Sequence, residues 1–125
     1  MTNVRSFKRV ILLIDDDRSA VDAISRMLRL DGHVVTIATD GPDALSIFQP
    51  RMYDLVLTDL VMPGMSGDKV AAEIKRRDPS QPVVALTAHP EKLESSAPSC
   101  FDAFLPKPIS LADLRAIIEK CAPSS

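Results

Sequence analysis

The sequence predicts an α/β fold in which a parallel five-stranded sheet is covered by helices on both faces. Three observations lead to it. Short, nearly continuous apolar runs recur at 9–14, 33–39, 53–59, 82–87 and 101–105, as strands buried on both faces require. Stretches with helical apolar spacing separate them, which is the alternation of a βαβ chain. The first, third, fourth and fifth runs also end on, or are closely followed by, an ionisable or hydroxyl side chain. That is the edge where open parallel sheets bind ligands.

Each element has its own signal. RVILLI (9–14) is a partly β-branched apolar run and reads as the first strand. Over 19–30, Val21, Ile24, Met27 and Leu28 recur at helical spacing with Ala20 on the same face. Asp17 is a candidate N-cap for this helix, and Asp31-Gly32 ends it. HVVTIAT (33–39) is the second strand, Thr39 to Pro42 a turn and cap, and 43–48 a short helix. YDLVLTD (53–59) is the third strand, followed by a Pro-Gly turn and a further glycine, Gly67. The helix over 67–78 points Val70 and Ile74 inward, and its basic end suits the negative end of the helix dipole. PVVALT (82–87) is the fourth strand, 91–97 a weak helix and FDAFL (101–105) the fifth strand. Over 110–122 Leu111, Leu114, Ile117 and Ile118 share a face, with Ser110 as N-cap and Asp113 three residues on.

The chain has 125 residues, 46% apolar and 26% charged. That fits one globular domain, expected over 8–122 with flexible ends at 1–7 and 123–125. A net charge of −2 gives no general nucleic-acid footprint, and Arg5, Lys8 and Arg9 read as a solvated lead-in to the first strand. Neither a membrane span nor a signal peptide is legible, so a cytoplasmic location is expected. Cys100, Cys121, His33 and His89 lack zinc-site spacing, and the cysteines read as free, mostly buried thiols.

The strand ends carry the chemistry. The first apolar run closes on Asp15-Asp16-Asp17, the third on Thr58-Asp59, the fourth on Thr87 and the fifth on Pro106-Lys107. If the strand order is the doubly wound 2-1-3-4-5, the first and third strands are neighbours, and Asp15, Asp16 and Asp59 meet at one crevice. Three carboxylates so placed repel one another unless a cation lies between them. Mg²⁺ prefers such oxygen ligands, often together with phosphate. Lys107 and Thr87 then supply donors to a phosphoryl group, and a carboxylate can serve as its acceptor.

IDDD, LVLTDLVMPGMSG, VVALTAH and FLPKP, in this order and spacing, resemble the receiver domain of two-component response regulators over roughly residues 8 to 122. The resemblance implies a flavodoxin-like (βα)5 fold. It makes Asp59 the phosphoacceptor, loaded by a histidine kinase or a histidine phosphotransfer protein with Mg²⁺ or Mn²⁺. Asp16 becomes the direct metal ligand and Asp15 acts mainly through water, with Asp59 and the backbone carbonyl of Val61 completing the site. Thr87 becomes the switch hydroxyl, Phe104 the switch aromatic and Lys107 the phosphate-binding lysine, with a cis bond to Pro108. Val61 and His89 occupy the positions that tune phosphoryl lifetime. The implied output is a changed surface over 91–97, the fifth strand and the last helix, read by a downstream protein rather than by nucleic acid or membrane. The protein itself is expected to be a monomer or weak dimer.

The stretch between Thr87 and Phe104 is shorter than is usual in the family and holds Pro90 and Pro98, so the helix over 91–97 is expected to be short or irregular. On this reading the chain is a stand-alone signalling switch and no enzyme beyond its own phosphorylation and dephosphorylation. Three alternatives differ in testable ways. A small phosphohydrolase would use Asp15 as nucleophile, but Arg18 stands where its motif needs Thr or Val. A flavodoxin-like electron carrier needs a phosphate loop that DDDRS cannot form. A phosphate-independent scaffold has no need of a complete site.

Overall fold

A computed structural model describes residues 8–88 and 100–122. The strands are β1 (Val10–Ile14), β2 (Val34–Ala38), β3 (Leu55–Asp59), β4 (Val83–Thr87) and β5 (Ala103–Pro106). They form one parallel sheet in the order β2-β1-β3-β4-β5, as the sequence predicts. The helices are α1 (Arg18–Leu30), α2 (Gly41–Ile47), α3 (Gly67–Arg77) and α4 (Leu111–Cys121). His89 and the helix expected over 91–97 lie outside the described residues.

The period-two alternation of strand side chains divides the core into two layers. Ile11, Leu13, Leu55, Leu57, Val84 and Leu86 point to the side covered by α1 and α4, where they meet Val21, Ile24, Leu28, Leu114, Ile117 and Ile118. Leu12, Ile14, Val56, Val83 and Ala85 point to the other side, against Ala44, Phe48, Val70, Ala71 and Ile74. The three central strands are therefore buried on both faces, which explains their unbroken apolar sequence. β5, at the edge, alternates instead: Ala103 and Leu105 are buried while Phe104 and Pro106 are exposed.

Local chemistry sets the helix ends. Asp17 caps α1 by accepting from the Ser19 amide. The helix ends in a Schellman motif, with Gly32 at φ +88° and its amide bonded to the Arg29 carbonyl, and the His33 amide bonded to Leu28. Asp40 caps α2, which starts at Gly41 and so earlier than the sequence pattern shows, with Pro42 in the first turn. Proline fits there because first-turn amides have no helical partner in any case. Ser110 and Asp113 close a reciprocal capping box on α4.

Two expectations are corrected. Arg9 is buried, not solvated: its Nε donates to the Ala122 carbonyl at 2.5 Å, tying the entrance of β1 to the exit of α4. The apolar pattern carries no sign of this, because the partner is a backbone group more than a hundred residues away. Cys100 and Cys121 are free thiols, half-buried rather than mostly buried.

Candidate functional site

The carboxyl ends of β1, β3, β4 and β5 converge. β1 and β3 pair through Ile14 and Thr58, and Asp15 and Asp59 follow one step on. The Asp15 amide continues the ladder by donating to the Ala38 carbonyl at 3.1 Å. Asp59 pairs with Leu86, and Thr87 with Pro106, so Thr87 and Lys107 complete the same edge. The Lys107 amide donates to the Thr87 carbonyl at 2.7 Å. The Lys107–Pro108 peptide is cis.

Asp15, Asp16 and Asp59 each offer a carboxylate oxygen, and these oxygens lie within 4.8 Å of one another. Asp15 is fully buried and both its oxygens are engaged: Oδ1 accepts from the Asp17 amide at 2.9 Å and Oδ2 from Lys107 Nζ at 2.9 Å. Lys107 Nζ also lies 3.3 Å from Asp59 Oδ1. Asp59 is 8% exposed, and Asp16 is exposed. Among the described residues, three carboxylates thus gather around one ammonium at a partly dry site.

The titration of Asp59 and Lys107 reflects both burial and these neighbours. Burial raises the Asp59 carboxyl above its ordinary value, the Asp15 and Asp16 carboxylates add to the rise, and Lys107 opposes it. For Lys107, burial works against the charged form, but the hydrogen bond to Asp15 and the charges of Asp15 and Asp59 prevail and raise it. A hard divalent cation fits this donor set: three carboxylates of one sign, crowded together.

The loop after β3 is held by contacts that the sequence pattern does not show. Gly67, which opens α3, lies against the strand end; a Cβ there would collide with the Asp59 carbonyl oxygen and come within 2.9 Å of Leu60 Cα. The Gly67 amide donates to the Leu60 carbonyl at 2.9 Å, and the Thr58 hydroxyl donates to the Asp59 carbonyl at 3.0 Å. Gly64 takes φ +82° in the turn between them. The second glycine of the PGMSG stretch is the one signal of this approach in the sequence. Val61 is exposed, and Thr87 is buried. Phe104 is 38% exposed and meets Phe101 edge-on, with ring centroids 5.7 Å apart.

The sequence profile of the response regulator receiver domain matches residues 11–119. The chain belongs to the receiver family. Receivers are phosphoacceptor modules of two-component signalling. The sensory transduction protein RegX3 of Mycobacterium tuberculosis is 34% identical over 116 residues, covering 88% of this chain and 51% of RegX3. The receiver thus spans about half the length of this curated relative. Among solved structures, the receiver domain of sensor histidine kinase PA1611 from Pseudomonas aeruginosa superposes with a TM-score of 0.85 at 28% identity, covering 94% of this chain and 99% of that one. That structure has a magnesium ion coordinated in its active-site cleft. The response regulator TrrA from Thermotoga maritima, in complex with Mg²⁺-BeF, superposes with a TM-score of 0.82 at 27% identity, covering 90% and 98%. Among the described residues no helix is long and apolar enough to cross a membrane.

Proposed function

We propose that this receiver accepts a phosphoryl group on Asp59 from the phosphohistidine of a kinase or phosphotransfer protein, in a Mg²⁺- or Mn²⁺-dependent reaction, and thereby switches a protein-binding surface. The observation that carries this reading is the meeting of Asp15, Asp16 and Asp59 with Lys107 bridging Asp15 and Asp59. The exposure of Asp16 suits direct metal ligation, and the buried, doubly bonded Asp15 suits a role through water. Asp59 and the Val61 carbonyl would complete the donor set. A bound divalent cation would neutralise charge on the phosphoryl oxygens in the transition state.

An Asp59 oxygen attacks phosphorus, the P–N bond breaks, and its electron pair returns to the donor imidazole. Asp59, not Asp15, is the nucleophile, because Asp59 engages only Oδ1 among the described residues whereas both Asp15 oxygens are bonded. On this reading Asp15 is not the nucleophile that a small phosphohydrolase would need. Lys107 exchanges part of its hold on Asp15 for a phosphoryl oxygen, a charge-assisted bond to the developing charge. Thr87 donates its hydroxyl to the same group, and the exposed Phe104 ring turns inward as Thr87 moves. The result is a population shift between two states, biased by charge at one edge of the sheet. The surface that changes would be β5, α4 and the 91–97 segment, the site of a downstream protein partner. Val61, and His89 by sequence position, tune the lifetime of the acyl phosphate.

The test is chemical mapping. The protein is incubated with Mg²⁺ and a small-molecule phosphodonor, reduced with borohydride and digested. Homoserine at position 59 is expected; homoserine at position 15, or none anywhere, would overturn the assignment.

A further inference from the structure

We propose that His33 is a proton-operated latch at the amino edge of the sheet, opposite the phosphoacceptor: neutral, it holds the entrance of β1 and, through Arg9, the exit of α4; protonated, it releases both. The Arg9 amide donates to His33 Nδ1 at 3.0 Å. In this parallel pair the ladder begins only with Val34 donating to the Arg9 carbonyl at 2.9 Å, so the imidazole extends it by one side-chain bond. Nδ1 must then carry a lone pair and the ring proton must sit on Nε2. An imidazolium has no acceptor, and one proton removes the bond.

The surroundings make that proton consequential. Arg9 is itself buried, and its Nε holds the Ala122 carbonyl just past the end of α4. A charged His33 would stand beside this buried guanidinium. Among the described residues, the charged groups acting on His33 are Arg9 from the entrance of β1, Asp31 from the end of α1 and Asp54 from the entrance of β3. Both acids are committed elsewhere. Asp31 makes a two-bond pair with Arg115 at 2.8 and 2.9 Å, and Asp54 accepts from the Val10 amide at 2.8 Å. Burial lowers the His33 pKa below 6.5 and Arg9 adds to the lowering, against the two acids. The folded value lies below the unfolded one. The stabilisation is therefore complete above pH 6.5 and is lost as the pH falls from there through the folded value.

The amide spectrum of the full chain, recorded by NMR between pH 8 and pH 5, tests the latch. The His33 ring should titrate below its ordinary midpoint. Hydrogen exchange at Arg9, after correction for intrinsic rates, should speed up about tenfold or more with that same midpoint, as local opening allows. The amides at the end of α4 should shift together with it. His33→Gln, which keeps an acceptor that does not titrate, should remove the pH step. Arg9 protection that stays constant while His33 becomes charged, or a step that survives His33→Gln, would overturn the proposal. The wild-type titration decides between these outcomes even if the variant fails to fold.

Discussion

Burial and two neighbouring carboxylates raise the Asp59 carboxyl above its ordinary value, with Lys107 opposing. Between the unfolded and the folded value the native state binds more protons than the unfolded state, so this group makes the metal-free protein less stable as pH rises through that window. Asp59→Asn should therefore raise the urea midpoint in metal-free buffer at neutral pH, and the gain should shrink as the pH falls toward the ordinary carboxylate value. A lower midpoint at neutral pH would contradict the electrostatics described. Gly67 makes the opposite case. A methyl group driven into the Asp59 carbonyl oxygen must displace backbone, so Gly67→Ala should lower stability by about 1–3 kcal/mol and slow phosphorylation. Unchanged unfolding and unchanged phosphorylation rates would contradict it. The placement of Asp15, Asp16, Asp59, Thr87 and Lys107 at one edge of the sheet was legible in the sequence, because they close apolar runs. Gly67 and Arg9 were not, because a backbone approach and a buried cation depend on how elements pack, which no local pattern records.

At the scale of elements, three helix starts show how sequence and structure agree. Asp17, Asp40 and Ser110 each accept a backbone amide at the start of a helix, and their residue types announce that role. Gly32 offers a test of backbone conformation alone. It sits at φ +88°, and nothing lies within 4 Å of where a Cβ would be. Gly32→Ala should therefore cost about 1–2 kcal/mol from the left-handed backbone alone, read as a lower urea midpoint with an unchanged slope. A neutral substitution would show that the Schellman turn relaxes without loss. The bounds of β5 were less legible. FDAFL reads as a strand from Phe101, but pairing begins at Ala103 opposite Val84. Apolar character marks burial, and Phe101 is buried without joining the ladder.

For the whole molecule, the strand order decides the chemistry. It makes β1 and β3 neighbours, and so brings together acids more than forty residues apart in the chain. The parallel, doubly covered sheet was legible because buried strands, helical spacers and polar strand ends all point to it, whereas the strand order came with the family resemblance of the strand-end motifs. The amino edge was not legible, since its bonds to His33, Asp54 and Ala122 follow only once the sheet has formed. The central claim is that the carboxyl edge is a metal-dependent phosphoacceptor site built around Asp59. Intact mass spectrometry after incubation with Mg²⁺ and acetyl phosphate tests it most directly, beside Asp59→Asn and a metal-free control. The predicted result is the gain of one phosphoryl group by the wild-type chain, lost in both controls. Equal gain by Asp59→Asn, or no gain by the wild-type chain with the metal present, would contradict the account.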